Sequence, residues 1–112
     1  TWSGRWESEK EAKVSRGAGN TVELRFRGVA VVILGALSQD GGQVEVYLDG
    51  KRVGKADAYI VERTHDNALW NVYGLKDREH VVRLVTADTA DSRSRGKRVS
   101  LSGAVIYGKR QP

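Results

Sequence analysis

The chain has 112 residues, no cysteine, two histidines and a formal net charge of +5. That length suits one domain with a real core and leaves no room for a large internal cavity. The composition excludes a thiol nucleophile, a disulfide scaffold and a cysteine-ligated zinc site, and His65 and His80 stand too far apart in the chain for a His/Cys zinc cluster.

Taken in chain order, Thr1 is not a natural initiator, so the sequence reads as an excised or processed piece of a longer protein. The stretch from Glu7 to Val14 is short, highly charged and followed by Gly17 and Gly19, which predicts irregular backbone. Thr21 to Arg27 alternates: Val22, Leu24 and Phe26 face one way, Glu23, Arg25 and Arg27 the other, the period of a half-buried strand. Gly28 ends it. Val29 to Leu34 is the longest apolar run. It is far short of the roughly 18–20 residues a membrane helix needs, and it fits a strand covered on both faces. Gln43 to Leu48 alternates again. Asp49-Gly50 then separates it from Arg52 to Tyr59, a strong hairpin signal because type I′ turns need positive φ at both central positions. Ala68 to Tyr73, the valine-rich Glu79 to Thr86, and Lys97 to Tyr107 complete the strands.

This pattern predicts an all-β chain: an antiparallel β-sandwich or jelly roll of about seven to nine strands, with residues 1–112 as a single module. Successive antiparallel strands reverse direction, so their connections fall alternately on the two ends. The tight connections at Gly28, Asp49-Gly50 and 74–78 share one end. The long ones, 35–42, 60–67 and 87–96, share the other, and the segment 7–20 arrives there too. Long loops on a rigid sandwich are a common seat for binding.

Carbohydrate recognition needs aromatic rings for the C–H face of a sugar and planar polar groups for its hydroxyls. On the long-loop end the candidates are Asp40, Tyr59, Arg63, His65, Asp66, Asn67, Arg93 and Arg95, with Trp6 arriving from the N-terminal segment. Arg63 to Asn67 is the densest run of hydrogen-bonding groups, although Asp66 and Asn67 could equally bond their own loop backbone. Arg93 and Arg95 could grip a carboxylate or sulfate, or simply balance Asp88 and Asp91. Trp2 and Trp6 either pack across a sheet edge or form a platform. Trp70, inside a strand, is expected in the core, and His80 is expected to be structural. Asp40 beside Gly41-Gly42, or Asp88 with Asp91, could offer oxygens to a structural calcium, without matching EF-hand spacing. No other cofactor is indicated.

Five segments carry a family resemblance: Val22 to Gly28, Ile33 to Gly35, Val46 to Lys51, Leu69 to Leu75 and His80 to Leu84, closed by the strand Val99 to Tyr107. Together they resemble the galactose-binding-like β-sandwich carbohydrate-binding modules attached to bacterial secreted glycan-active enzymes. The likeness spans Trp2 to Tyr107. It departs from the family at Asp77-Arg78-Glu79, where a glycine is common. It implies a non-catalytic, monomeric module that binds a polysaccharide or oligosaccharide. It also implies a covalently linked catalytic domain in the parent protein and a secreted, extracellular or periplasmic location. The basic balance suits an acidic glycan, and a neutral one stays open.

The alternative is a structural or protein-interaction domain packed on a catalytic neighbour. Nucleic acid is not an expected partner, because basic residues are interleaved with acids and no RNA-binding signature occurs. A membrane is not expected either. Catalysis is not expected: no G-x-S-x-G or H-E-x-x-H motif is present.

Overall fold

A computed structural model describes residues 1–9, 12–60 and 67–108, with only the backbone given for Asn67. Ten strands form two five-stranded antiparallel sheets. They are β1 (Trp2–Ser3), β2 (Glu7–Glu9), β3 (Ala12–Ser15), β4 (Thr21–Gly28), β5 (Ala30–Ala36), β6 (Gln43–Leu48), β7 (Lys51–Asp57), β8 (Asn67–Val72), β9 (Arg78–Thr86) and β10 (Val99–Tyr107). One sheet has the order β1-β4-β9-β6-β7 and the other β2-β3-β10-β5-β8.

The alternation read in β4 is the physical basis of the sandwich. Val22, Leu24 and Phe26 stand opposite Leu84, Val82 and His80 of β9, all on the inner face. They meet Val31, Ile33, Val99 and Leu101 of the second sheet in one core with Val44, Val46 and Ala56. Burial of each such side chain contributes roughly 1.5–3 kcal/mol. Trp70 packs on this core, as expected. β5 is central in its sheet and almost wholly buried, which explains its unbroken apolar run.

The segment 7–14 corrects the sequence reading. It forms β2 and most of β3 instead of irregular chain, and with β1 brings the count to ten. These strands are two to four residues long, β2 and β3 carry charge, and all lie at or near sheet edges, where charge and shortness guard against edge-to-edge pairing.

At the Asp49-Gly50 turn both residues have positive φ, 51° and 83°, as the hairpin requires. The two ends segregate as the strand count demands. Backbone bonds join 29 to 107 and 75 to 29 at the tight-turn end. At the other end, bonds join 38 to 58, 42 to 98 and 95 to 39.

Candidate functional site

The long-loop end is built by backbone contacts between segments distant in sequence. Ser38 bridges Tyr59, and Gly41 bridges Arg98. The Arg95 amide donates to the Gln39 carbonyl at 2.9 Å, and the Ser94 hydroxyl donates to the Gly41 carbonyl at 2.7 Å. Two glycines permit this crowding: a Cβ at Gly41 would strike the Ala58 carbonyl, and one at Gly42 would lie 2.7 Å from Lys97.

On this frame the Arg93 guanidinium lies 5.1 Å from the centre of the Tyr59 ring, a cation–π contact. Asp91 holds the guanidinium in plane through paired bonds, Nε to Oδ1 at 3.0 Å and Nη2 to Oδ2 at 3.1 Å. The Arg93 bonds keep the Asp91 carboxyl below its ordinary range, and Asp91 in turn raises the guanidinium. Nη1 of Arg93 and the Tyr59 hydroxyl have no partner among the described residues.

Around this pair stand Asp57, Gln43, Thr89 and Lys97, which sequence reasoning passed over, and Asp88, which it named. Asp57 accepts from the Tyr59 amide at 2.9 Å and from Gln43 at 3.2 Å, and Thr89 donates to Gln43 at 2.7 Å. Asp88 pairs with Lys97, whose bond lowers the Asp88 carboxyl. Gln43 and Asp57 are strand-terminal residues facing the long loops, a position that counting strand ends would have flagged.

Of the residues expected to bind, Asp40, Tyr59, Arg93 and Arg95 lie on this end. Asp40 accepts a 2.7 Å bond from Ser38, and Arg95 is exposed. The Asn67 backbone pairs with Gly35 there. Arg63, His65 and Asp66 lie outside the described residues. Trp6 packs beside β1 and the start of β4, at the edge of the first sheet. Its indole N–H reaches the Ser3 and Thr21 carbonyls at 3.1 and 3.0 Å, and its ring meets Trp2 edge-on at 5.0 Å. Asp88 and Asp91 are each held by a cation, and among the described residues no group of three His, Cys, Asp or Glu could hold a metal ion.

A separate apolar cleft of about 500 Å³ opens between the sheets, lined by Trp2, Val22, Leu24, Ile33, Leu101 and Ala104, with Lys13 and Glu23 among its polar members. It lies where, among the described residues, β4 beyond Glu23 and β10 beyond Leu101 are paired on one side alone.

Comparison with known proteins places this geometry. No protein-family profile matches the chain. It is 35% identical over 92 residues to an A type blood alpha-D-galactosamine galactosaminidase from Flavonifractor plautii, a match over 76% of this chain and 8% of that enzyme. By structure it is similar to a family two carbohydrate esterase from Clostridium thermocellum in complex with cellohexaose. That match has a TM-score of 0.63 and 20% identity, over 95% of this chain and 30% of the esterase. It is also similar to the CBM36-1 domain of a multidomain xylanase from the hindgut metagenome of Trinervitermes trinervoides. There the TM-score is 0.54 and the identity 12%, over 82% of this chain and 73% of that domain. The chain therefore has the β-sandwich fold of domains that occur in glycan-active proteins, as its resemblance implied. It spans a small part of the enzymes it matches.

Proposed function

We propose that the chain is a non-catalytic carbohydrate-binding module that holds a polysaccharide or oligosaccharide at its long-loop end. The observation that carries this reading is the Tyr59–Arg93 pair, an aromatic face and a pre-oriented guanidinium side by side where the long loops gather. The carbohydrate-active relatives support it. Asp88 and Asp91 are both held below the ordinary carboxyl range, the opposite of what a general acid requires. Arg63, His65, Asp66 and Asn67, expected at this end from the sequence, belong to the same proposal, with Asp40 and Arg95 beside them. The net charge of +5 and the exposed Arg95 favour an acidic glycan. In the parent protein the module is secreted, extracellular or periplasmic, monomeric and linked to a catalytic domain. There it raises local substrate concentration by tethering.

Affinity electrophoresis against acidic and neutral polysaccharides, at low and moderate salt, tests this. One polymer should retard the chain, and Tyr59→Ala or Arg93→Ala should weaken that binding about tenfold, equivalent to roughly 1.4 kcal/mol. Unchanged retardation in both variants would refute the site. Retardation by every polyanion that vanishes with salt would reduce it to charge attraction. A second reading, a domain packed on a neighbour, is favoured by the unpaired edges of β4 and β10 beside the apolar cleft. It predicts retention by no polymer.

A further inference from the structure

Three strands of the second sheet, β8, β5 and β10, contain no charged residue, in a chain whose residues are 29% charged. The contrast with the first sheet is sharp. Its outer face carries Glu23, Arg25, Arg27, Glu45, Arg52 and Arg83, several of them paired across strands.

On the outer face of these three strands two tyrosines stand exposed. Tyr107 ends β10 directly opposite Ala30. Tyr73 follows Val72, whose partner is Val31, so the next position in register sets Tyr73 against Ala30 from the other side. Ala30 is the small residue between them and is 2% exposed. The two ring centres lie 6.4 Å apart, with the rings inclined at 39°. Tyr73 is 63% exposed and Tyr107 49%. Neither phenol hydroxyl has a hydrogen-bond partner among the described residues. Asn71, exposed and level with Val32, adds a planar amide to the same face, and Val105 adds an apolar border.

We infer that this face is a second carbohydrate contact, a platform for an uncharged polysaccharide chain, separate from the arginine-bearing loop end. The inference rests on the reading of the chain as a glycan-binding module and adds a surface to it. Aromatic faces meet the apolar face of a pyranose, and phenol and amide groups meet its hydroxyls. Charge selects among occupants: among the described residues the strands β8, β5 and β10 carry no cation, so an acidic glycan or a nucleic acid is drawn to the arginines elsewhere, whereas a neutral chain gives up little solvation on these strands. Both tyrosines sit at the tight-turn end of their strands, so the platform and the loop site occupy opposite ends of the sandwich.

The test is retention on insoluble neutral polymers, namely microcrystalline cellulose, insoluble xylan and chitin, at low and high salt. The wild-type chain should bind at least one of them, independently of salt. Tyr73→Ala and Tyr107→Ala should each weaken that retention about five- to tenfold, the worth of one aromatic contact. Tyr107→Phe should keep most of it, and Arg93→Ala should leave it unchanged. Matching thermal melts would confirm that the exposed substitutions leave the fold intact. Failure to bind any neutral polymer, or unchanged retention in the double alanine variant, would overturn the platform. A dimer in sedimentation that dissolves in Tyr107→Ala would assign the face to a second copy instead. If acidic polymers still bind through Arg93, the platform alone falls. If the tyrosines retain neutral polymers while Arg93→Ala and Tyr59→Ala have no effect on any polymer, the loop site alone falls.

Discussion

At the residue scale, Asp49 shows how a turn residue can fasten two strands. Its backbone takes the left-handed φ that the hairpin needs, and aspartate tolerates that region better than most residues. Its carboxylate accepts from the Val81 amide at 2.9 Å and from His80 Nδ1 at 2.7 Å. The other ring nitrogen of His80 faces the Lys76 carbonyl at 2.8 Å. The ring is thus held between the Asp49 carboxylate and the Lys76 carbonyl. His80 is 2% exposed, so the pair is closed off from water on the histidine side. The bond from His80 holds the Asp49 carboxyl below its ordinary value, with the Val81 amide and Arg78 acting in the same direction. A depressed carboxyl stabilises the fold above the unfolded-state value of about 3.9, and that contribution is lost as the pH falls below it and through the lower value of the folded state. Asp49→Asn, which keeps the turn conformation and loses the charge, should cost about 1–3 kcal/mol in urea unfolding at neutral pH. It should also flatten the loss of stability below about pH 4. A variant as stable as the parent at both pH values would show that the pair does not contribute.

At the element scale, the loop 37–42 is held by contact and not by its own secondary structure. Gly41 lies flat against the Ala58 carbonyl and passes its own carbonyl to Ser94. Gly41→Ala should therefore force the loop off the end of β7 and lower stability by about 2 kcal/mol. The same change should weaken ligand retention, because Tyr59 and Arg93 are carried by the two segments that Gly41 joins. Thermal unfolding with retention measured in parallel checks this. Loss of stability with undiminished retention would separate the loop from the site. The elements also show what was legible in the sequence. Strands with one buried face announce themselves: Val22, Leu24 and Phe26 alternate because only that face meets the core. β1 to β3 do not, because a strand of two to four residues at an edge has no period to display.

At the scale of the whole molecule, the pairings that close the sandwich join distant chain. Thr21 pairs with Val85, and Ser15 with Val99. Closing such loops before their contacts form makes folding slow, so refolding should take milliseconds to seconds. The one proline is Pro112 at the end of the sequence, so a minutes-long isomerisation phase is not expected. Stopped-flow refolding from urea measures both, and microsecond refolding would contradict the topology argument. The loop end was legible at this scale, since counting strand reversals gathered Asp40, Tyr59, Arg93 and Arg95 at one end. The pairing of Arg93 with Tyr59 was not, because a stacking contact between residues so far apart leaves no mark on local pattern. Tyr73 and Tyr107 were missed for a related reason. Each looks like an ordinary strand terminus until the register sets both against Ala30.

The uneven placement of charge between the two sheets has one more consequence. Near a polyanion the molecule experiences a torque as well as an attraction, because many of its arginines lie on one broad face and at one end while β8, β5 and β10 carry no charge. It would arrive already rotated, with the β8-β5-β10 face turned outward to whatever lies on the far side.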